Sequence, residues 1–264
     1  MSMVRPKKHL GQHFLKDKNI ARKITACLSD RFPVVCEIGP GTGILTQSLL
    51  EKENIRQLTL IEIDTESVTY LHQHFSDERL QILETDFLKS DLPALFPENF
   101  SLIGNFPYNI SSQIFFKILE NRNRIPEVVG MIQKEVAERI AAKPGNKTYG
   151  ILSVLLQSWY DIEYCFTVNE TVFFPPPKVK SAVIRLQRNK TEKLNCNETL
   201  FFKVVKAAFG QRRKTLRNAL KALFGGSPVT HPLFDQRAEQ LDVSDFVTLT
   251  NLYEAALAEN KSRI

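Results

Sequence analysis

Four cysteines in 264 residues, none of them in a C-x-x-C pair, leave nothing from which to build a zinc finger or a disulfide framework. Cys27, Cys36, Cys165 and Cys196 are scattered along the chain, so free thiols in a reducing compartment are expected. The five histidines (His9, His13, His72, His74 and His231) show no metal-ligand spacing, and no metal is expected. No apolar run reaches the roughly 18–20 residues that cross a bilayer. The N-terminal residues are charged, with no apolar region behind them, which argues against a secretory signal. They are basic enough to resemble a mitochondrial presequence but are not serine-rich. No internal repeat is present. A cytoplasmic protein with no membrane partner is the expectation.

Acidic residues are also scarce in two stretches where basic ones gather, Asp17 being the single acid of the first. Residues 1–23 carry a net charge of +6 and residues 203–221, "KVVKAAFGQRRKTLRNALK", carry +7 with no acid at all. The whole chain is only +6, so everything else sums to −7. A single basic run is as well explained by a solvated face as by a ligand. Two runs at opposite ends of one chain favour a polyanionic partner.

The hydrophobic fraction of 43% suits a packed core, in one large domain or in a domain plus a smaller one. From residue 34 a regular beat sets in. "VVCEI" (34–38), "LTLIEI" (58–63), "LQIL" (80–83), "SLIG" (101–104) and "VVGMI" (128–132) are short, β-branched-rich runs separated by helix-compatible stretches. Apolar runs without strict alternation, interleaved with helices, predict a parallel sheet covered on both faces, a doubly wound Rossmann-like α/β domain. "YGILSVLLQSWYDIEY" reads as a helix running into a strand, and "FFPPPKVKSAVIRLQ" as a proline-rich turn with a last strand. Beyond residue 190 a polar linker gives way to helical spacing with no strand signal. The expected organisation is an α/β domain over 1–190, with 1–23 contributing to its pocket, and a small all-helical domain over 191–264.

"EIGPGTG" places Gly39, Gly41 and Gly43 at the turn after the first of these strands, where backbone can approach a ligand closely. The G-x-G-x-x-G spacing of a dinucleotide site is absent, because Ile44 stands where the last glycine belongs. Glu62 ends the next strand and Asp86 follows the third. Ligands of open α/β sheets bind beyond the carboxyl ends of the strands. An acid at Glu62 can accept hydrogen bonds from both ribose hydroxyls, and one near Asp86 can meet an adenine amine. Asp64 is expected to cap a helix. Gly39, Glu62 and Asp86 together outline an adenosine-shaped slot without a phosphate clamp, the shape of S-adenosylmethionine.

"NFPY" (105–108) ends the fourth strand beside that slot. Asn-x-Pro-Tyr is typical of methyltransferases that act on exocyclic amines of bases. Such an amine is a poor nucleophile, because its lone pair is delocalised into the ring. The Asn105 side-chain oxygen and a backbone carbonyl beside Pro107 can accept its two N–H bonds and aim the lone pair at a methyl group. Catalysis then rests on positioning and electrostatics, with no nucleophilic side chain. Tyr108 offers a face against which an extruded adenine stacks. Phe173, held before three prolines, is a candidate second plate and equally a candidate core phenylalanine.

On these motifs the chain resembles the ribosomal small-subunit RNA adenine dimethyltransferases, a family associated with kasugamycin sensitivity. The resemblance runs nearly end to end, through "KKHLGQHFL", "EIGPGTG", "IEID", "GNFPYNISS", "MIQKEVAERIAAKPGNKTYGILSV", "FFPPPKVKSAVIRL" and "FGQRRKTLRNAL". His13 stands where the family has asparagine, and Phe106 where it usually has leucine. The resemblance implies a class I methyltransferase domain with a mostly parallel seven-stranded sheet. It implies dimethylation at N6 of two adjacent adenines near the 3′ end of small-subunit rRNA, with S-adenosylmethionine as donor, by a monomer acting late in small-subunit biogenesis. It assigns the cofactor to His13, Leu15, Gly39, Gly41, Glu62, Asp86 and Asn105. Chemistry falls to Asn105, Pro107, Tyr108 and Phe173, and rRNA phosphates to a basic helix around Arg212, Arg213, Lys214 and Arg217. Three rivals share features: a resistance-type methyltransferase of large-subunit rRNA, a DNA adenine methyltransferase, and a mainly non-catalytic ribosome-assembly factor. "PGNKTYG" and "FGQRRKTLRNAL" favour the small-subunit enzyme, and intact Asn105 and Tyr108 argue for chemistry.

Overall fold

A computed structural model describes residues 4–225 and 229–261; the first three residues of the basic N-terminal segment lie outside that range. The strands are β1 (Phe14–Leu15), β2 (Val34–Ile38), β3 (Gln57–Glu62), β4 (Leu80–Glu84), β5 (Ser101–Asn105), β6 (Glu127–Gln133), β7 (Tyr160–Val168), β8 (Phe173–Phe174) and β9 (Ser181–Arg188). The α-helices are α1 (Lys18–Ala26), α2 (Ile44–Leu50), α3 (Thr65–His74), α4 (Leu92–Leu95), α5 (Ser111–Glu120), α6 (Lys134–Ala141), α7 (Ile151–Gln157), α8 (Glu198–Gly210), α9 (Leu216–Ala219), α10 (Lys221–Phe224) and α11 (Val243–Lys261).

Seven strands form one sheet in the order β4-β3-β2-β5-β6-β9-β7. The pairs β2–β3, β3–β4, β2–β5 and β5–β6 are parallel, and β9 joins β6 antiparallel. β2 is buried at every position and lies between β3 and β5, as expected of a strand covered on both faces. β4, at the edge, is only partly covered. The chain winds outward from β2 to β4, then returns to place β5 on the other side of β2. That reversal is the topological switch point, where an open α/β sheet leaves a crevice. β1 and β8 form a separate two-stranded antiparallel pair.

The chain divides into two compact units, residues 1–137 with 161–188, and residues 138–160 with 189–264. Residues 138–160, expected from the sequence in the first domain, pack with the second. Tyr149 lies 6.3 Å from Phe209, and Trp159 stacks on Phe202 at 5.9 Å, centroid to centroid. No strand occurs among the described residues beyond 190.

Two acids of the first unit are structural. Asp64 caps α3 through Glu66 N–H (3.3 Å). Glu37 is buried in β2 and accepts a hydrogen bond from Thr46 Oγ1 at 2.6 Å. Burial pushes its carboxyl up from 4.5 to about 8, against the pull of the Thr46 hydroxyl. A carboxyl whose folded pKa lies above its unfolded value favours folding most at low pH, and that contribution drains away as pH rises from about 4.5 to 8. Denaturant titrations of Glu37→Gln beside wild type should therefore diverge with pH. The wild-type chain is expected to lose about 1 kcal/mol per pH unit relative to the variant between those limits; parallel profiles would contradict a neutral Glu37.

Candidate active site

The crevice at the switch point is a cavity of about 280 Å³. Its floor is formed where β2, β3 and β5 end, at Ile38, Glu62 and Asn105, and by the residues after β4, Thr85 and Asp86. Residues 9–14 of the N-terminal segment form another wall. Sequence explains the floor: β2 runs directly into Gly39, and β3 and β5 end in the polar residues Glu62 and Asn105.

At Gly39 (φ 63°) a Cβ would meet nothing within 4 Å, so the backbone there is open to a ligand. At Gly41 (φ 58°) a Cβ would lie 2.8 Å from the Phe14 ring. Only glycine lets that turn and the N-terminal segment approach so closely. Glu62 is fixed by three backbone N–H groups: Gly41 donates to Oε2 (3.0 Å), while Ile63 (2.9 Å) and Asp64 (3.0 Å) donate to Oε1. Burial raises its pKa, and those N–H bonds pull it back. Oε2 keeps an acceptor direction for a ligand hydroxyl. Ile63 stays 51% exposed at the wall, an apolar surface suited to a purine face. Asp86 lines the cavity and accepts from Leu88 N–H at 2.9 Å.

Asp64 also anchors the N-terminal wall. Lys7 Nζ pairs with Oδ1, Gln12 Nε2 donates to Oδ2 (3.2 Å), and Lys7 N–H donates to the Gln12 side chain (2.8 Å). Burial drives the Asp64 carboxyl up, but the bonds from Lys7, Gln12 and Ser67 prevail and hold it below its usual range. One buried carboxylate thus ties the segment over the crevice.

Asn105 Nδ2 donates to the His13 carbonyl at 2.8 Å, which orients the amide and leaves Oδ1 facing the cavity without a protein donor among the described residues. Tyr108 is held by a 2.5 Å bond between its hydroxyl and Ser181 Oγ, and its ring lies 5.5 Å from that of His13. Burial raises the Tyr108 pKa, so the phenol stays neutral. His13 Nδ1 is bonded to the Pro175 carbonyl at 2.7 Å. Phe106 points the other way, fully buried, edge-on to Phe115. A Cβ on Gly130 would lie 2.7 Å from its ring. The space over that glycine takes up the extra volume of phenylalanine at a position where the family usually has leucine.

The cavity therefore gathers His13, Gly39, Gly41, Glu62, Asp86, Asn105, Pro107 and Tyr108. It does not gather Leu15 or Phe173. Those two are register partners in the β1–β8 pair, 4% and 1% exposed, inside the hydrophobic core. In so short a pair the neighbouring residues face opposite sides, so Phe14 lines the cavity and Phe174 faces outward. Gln12 and Phe14 belong to the N-terminal segment expected at the pocket but were not singled out within it, and Ile63 was not expected from the sequence. Ile63 could have been found, because an isoleucine directly after a strand-ending acid has no core to enter.

Among the described lining residues there is no lysine or arginine, and two are carboxylates. Such a pocket suits a neutral nucleoside or a sulfonium cation and disfavours a dinucleotide phosphate. The residues present fit S-adenosylmethionine: Glu62 for ribose hydroxyls, Ile63 for the purine face, Asp86 for its amine, and Gly39 for close backbone approach.

The family model for "Ribosomal RNA adenine dimethylase" matches residues 3–255. This chain belongs to that family. A relative from Parabacteroides distasonis, "Ribosomal RNA small subunit methyltransferase A", is 59% identical over 254 residues, covering 95% of this chain and 94% of that protein. The crystal structure of a dimethyladenosine transferase from Plasmodium falciparum superposes with a TM-score of 0.75 at 27% identity, covering 92% of this chain and 98% of the other. That of the 23S rRNA methyltransferase ErmE gives 0.64 at 27% identity, covering 91% and 99%. The family's fold, a Rossmann-like methyltransferase sheet, is the one described above.

The basic cluster lies in the second unit and is not one helix. α8 ends at Gly210, residues 211–214 form a turn closed by Lys214 N–H to the Gln211 carbonyl (2.8 Å), and Arg217 is in α9. Arg212 is engaged by the protein itself, donating to the carbonyls of Lys147 and of Tyr149 (3.1 Å). Arg217 pairs with Asp235 at 2.7 Å. Arg213 and Lys214 are exposed. Among the described residues, no group of three or more His, Cys, Asp or Glu side chains could hold a metal, and no helix is long and apolar enough to cross a membrane.

Proposed function

We propose that this chain dimethylates N6 of two adjacent adenines near the 3′ end of small-subunit rRNA, late in assembly of the particle, as a cytoplasmic monomer. The observation that carries the reading is Asn105, its Nδ2 tied to His13 and its Oδ1 presented to the cavity, in a chain 59% identical to a small-subunit methyltransferase.

S-adenosylmethionine supplies an electrophilic methyl group on a sulfonium leaving group. The protein holds the acceptor. Asn105 Oδ1 accepts one N–H of the adenine amine. Of the carbonyls flanking Pro107, that of Pro107 itself is engaged by Ile110 N–H (3.2 Å), so Phe106 offers the second acceptor. Two acceptors on the amine favour a pyramidal nitrogen with its lone pair directed at the methyl carbon. Tyr108, its ring fixed by Ser181, supports the face of the extruded base. A monomethylated amine retains one N–H for this grip, which permits the second transfer. The first unit, residues 1–137 with 161–188, carries this chemistry. The second, residues 138–160 with 189–264, holds the particle, with Arg213 and Lys214 as phosphate contacts.

A large-subunit specificity has weaker support: identity to the 23S enzyme is 27% against 59% for the small-subunit relative. Incubation with labelled donor and unmethylated small subunits, beside large subunits and naked DNA, followed by nucleoside mass spectrometry, tests the assignment. Dimethyladenosine is expected in the small-subunit sample alone. Product in either other sample would overturn the proposed specificity.

A further inference from the structure

Phe174 is an aromatic side chain left 54% exposed, next to a fully buried one. It is the register partner of Phe14 across the β1–β8 pair. Directly opposed residues share a face with Cβ atoms about 5 Å apart, so Phe174 sits beside a wall of the cavity without lining it. The next residue, Pro175, is bonded through its carbonyl to His13, whose ring contacts Tyr108. A continuous strip runs from Tyr108 through His13 and Pro175 to Phe174.

The surroundings of this plate are cationic. Lys178 and Lys180 are exposed in the same loop, as is Lys16 beyond β1. No acid occurs between Thr171 and Arg188. An exposed aromatic among lysines has the chemistry of single-stranded nucleic-acid recognition, in which a base stacks and neighbouring phosphates are paired. An apolar protein partner would not account for the lysines.

Resting on the function proposed above, we infer that Phe174 stacks on an unpaired nucleobase next to the target adenine, while Lys178 and Lys180 contact the adjoining phosphates. Because it lies outside the cavity, Phe174 positions the strand and is not part of the catalytic grip.

The test compares wild type with Phe174→Ala, Phe174→Leu and Phe174→Trp, all at an exposed site where folding is preserved. With unmethylated small subunits, Phe174→Ala is expected to raise KM for the particle about tenfold, within the range for loss of one base–aromatic stack, with kcat and donor affinity unchanged. Phe174→Trp restores KM and Phe174→Leu does not. A second arm needs no methyl transfer: a short single-stranded RNA carrying 2-aminopurine at the position next to the target adenine should be quenched on binding wild type or Phe174→Trp, and not Phe174→Ala. An unchanged KM in Phe174→Ala, rescue by leucine equal to that by tryptophan, or equal quenching by all four proteins overturns the inference. If wild type quenches the RNA but methylates no small subunit, the stacking role stands and the proposed function fails.

Discussion

Replacing Asn105 by alanine is expected to lower methyl transfer about 100- to 1000-fold, the scale for removing one preorganised polar group from a reacting centre. Donor affinity should stay within about threefold of wild type. The asymmetry follows from how the amide is wired. In the proposed reaction Oδ1 meets the acceptor nitrogen, while Nδ2 braces the His13 carbonyl. Loss of the brace loosens one bond of the N-terminal wall, but that wall stays anchored through Lys7 and Gln12 on Asp64, and Glu62 keeps all three of its backbone donors. Asn105→Asp is the informative companion. It preserves shape and acceptor capacity, cannot donate to His13, and places a charge beside the reacting amine. Calorimetry for donor binding, alongside single-turnover methylation, separates the effects. Equal loss of binding and rate in Asn105→Ala would move the residue from substrate orientation to cofactor binding.

Reversing charge at Arg213 and Lys214 together is expected to weaken small-subunit binding at least tenfold at low salt. Removing two phosphate contacts should also make log affinity against log salt shallower by about 1.5. These two side chains are chosen because they are exposed with no ion pair among the described residues. Arg212 is a poor probe despite its place in the same basic run. Its guanidinium holds two backbone carbonyls, at Lys147 and Tyr149, so its loss leaves polar groups unpaired and destabilises the second unit. Arg212→Ala should therefore lower the melting temperature, which Arg213→Ala should not. Unchanged affinity of the double reversal across salt would remove this turn from the interface.

The parallel strands were readable because each is a short apolar run flanked by helices, a pattern that survives without knowledge of partners. β1 and β8 were not readable. Two residues carry no periodicity, and their pairing joins segments almost 160 residues apart. That is why Leu15 and Phe173 were expected in the pocket and lie in the core, while Phe14 and Phe174 take the outward positions. The floor of the site was legible because strand ends in this fold converge, so Glu62, Asp86 and Asn105 needed only their strands to be recognised. The engagement of Arg212 and Arg217 was not legible, since their partners at Lys147, Tyr149 and Asp235 are brought near only by packing. Residues 138–160 escaped for the same reason: their helical pattern is plain, but the unit they pack into is decided by tertiary contact.

In the proposed reaction a side-chain amide and a fixed tyrosine, next to a methyl donor, receive a purine from outside. A crystal structure with bound S-adenosylmethionine tests it most directly. The donor's ribose is expected on Glu62, with its methyl carbon directed into open space between Asn105 Oδ1 and the Tyr108 ring. A methyl carbon facing packed protein, with no room for a base between it and Asn105, would contradict it.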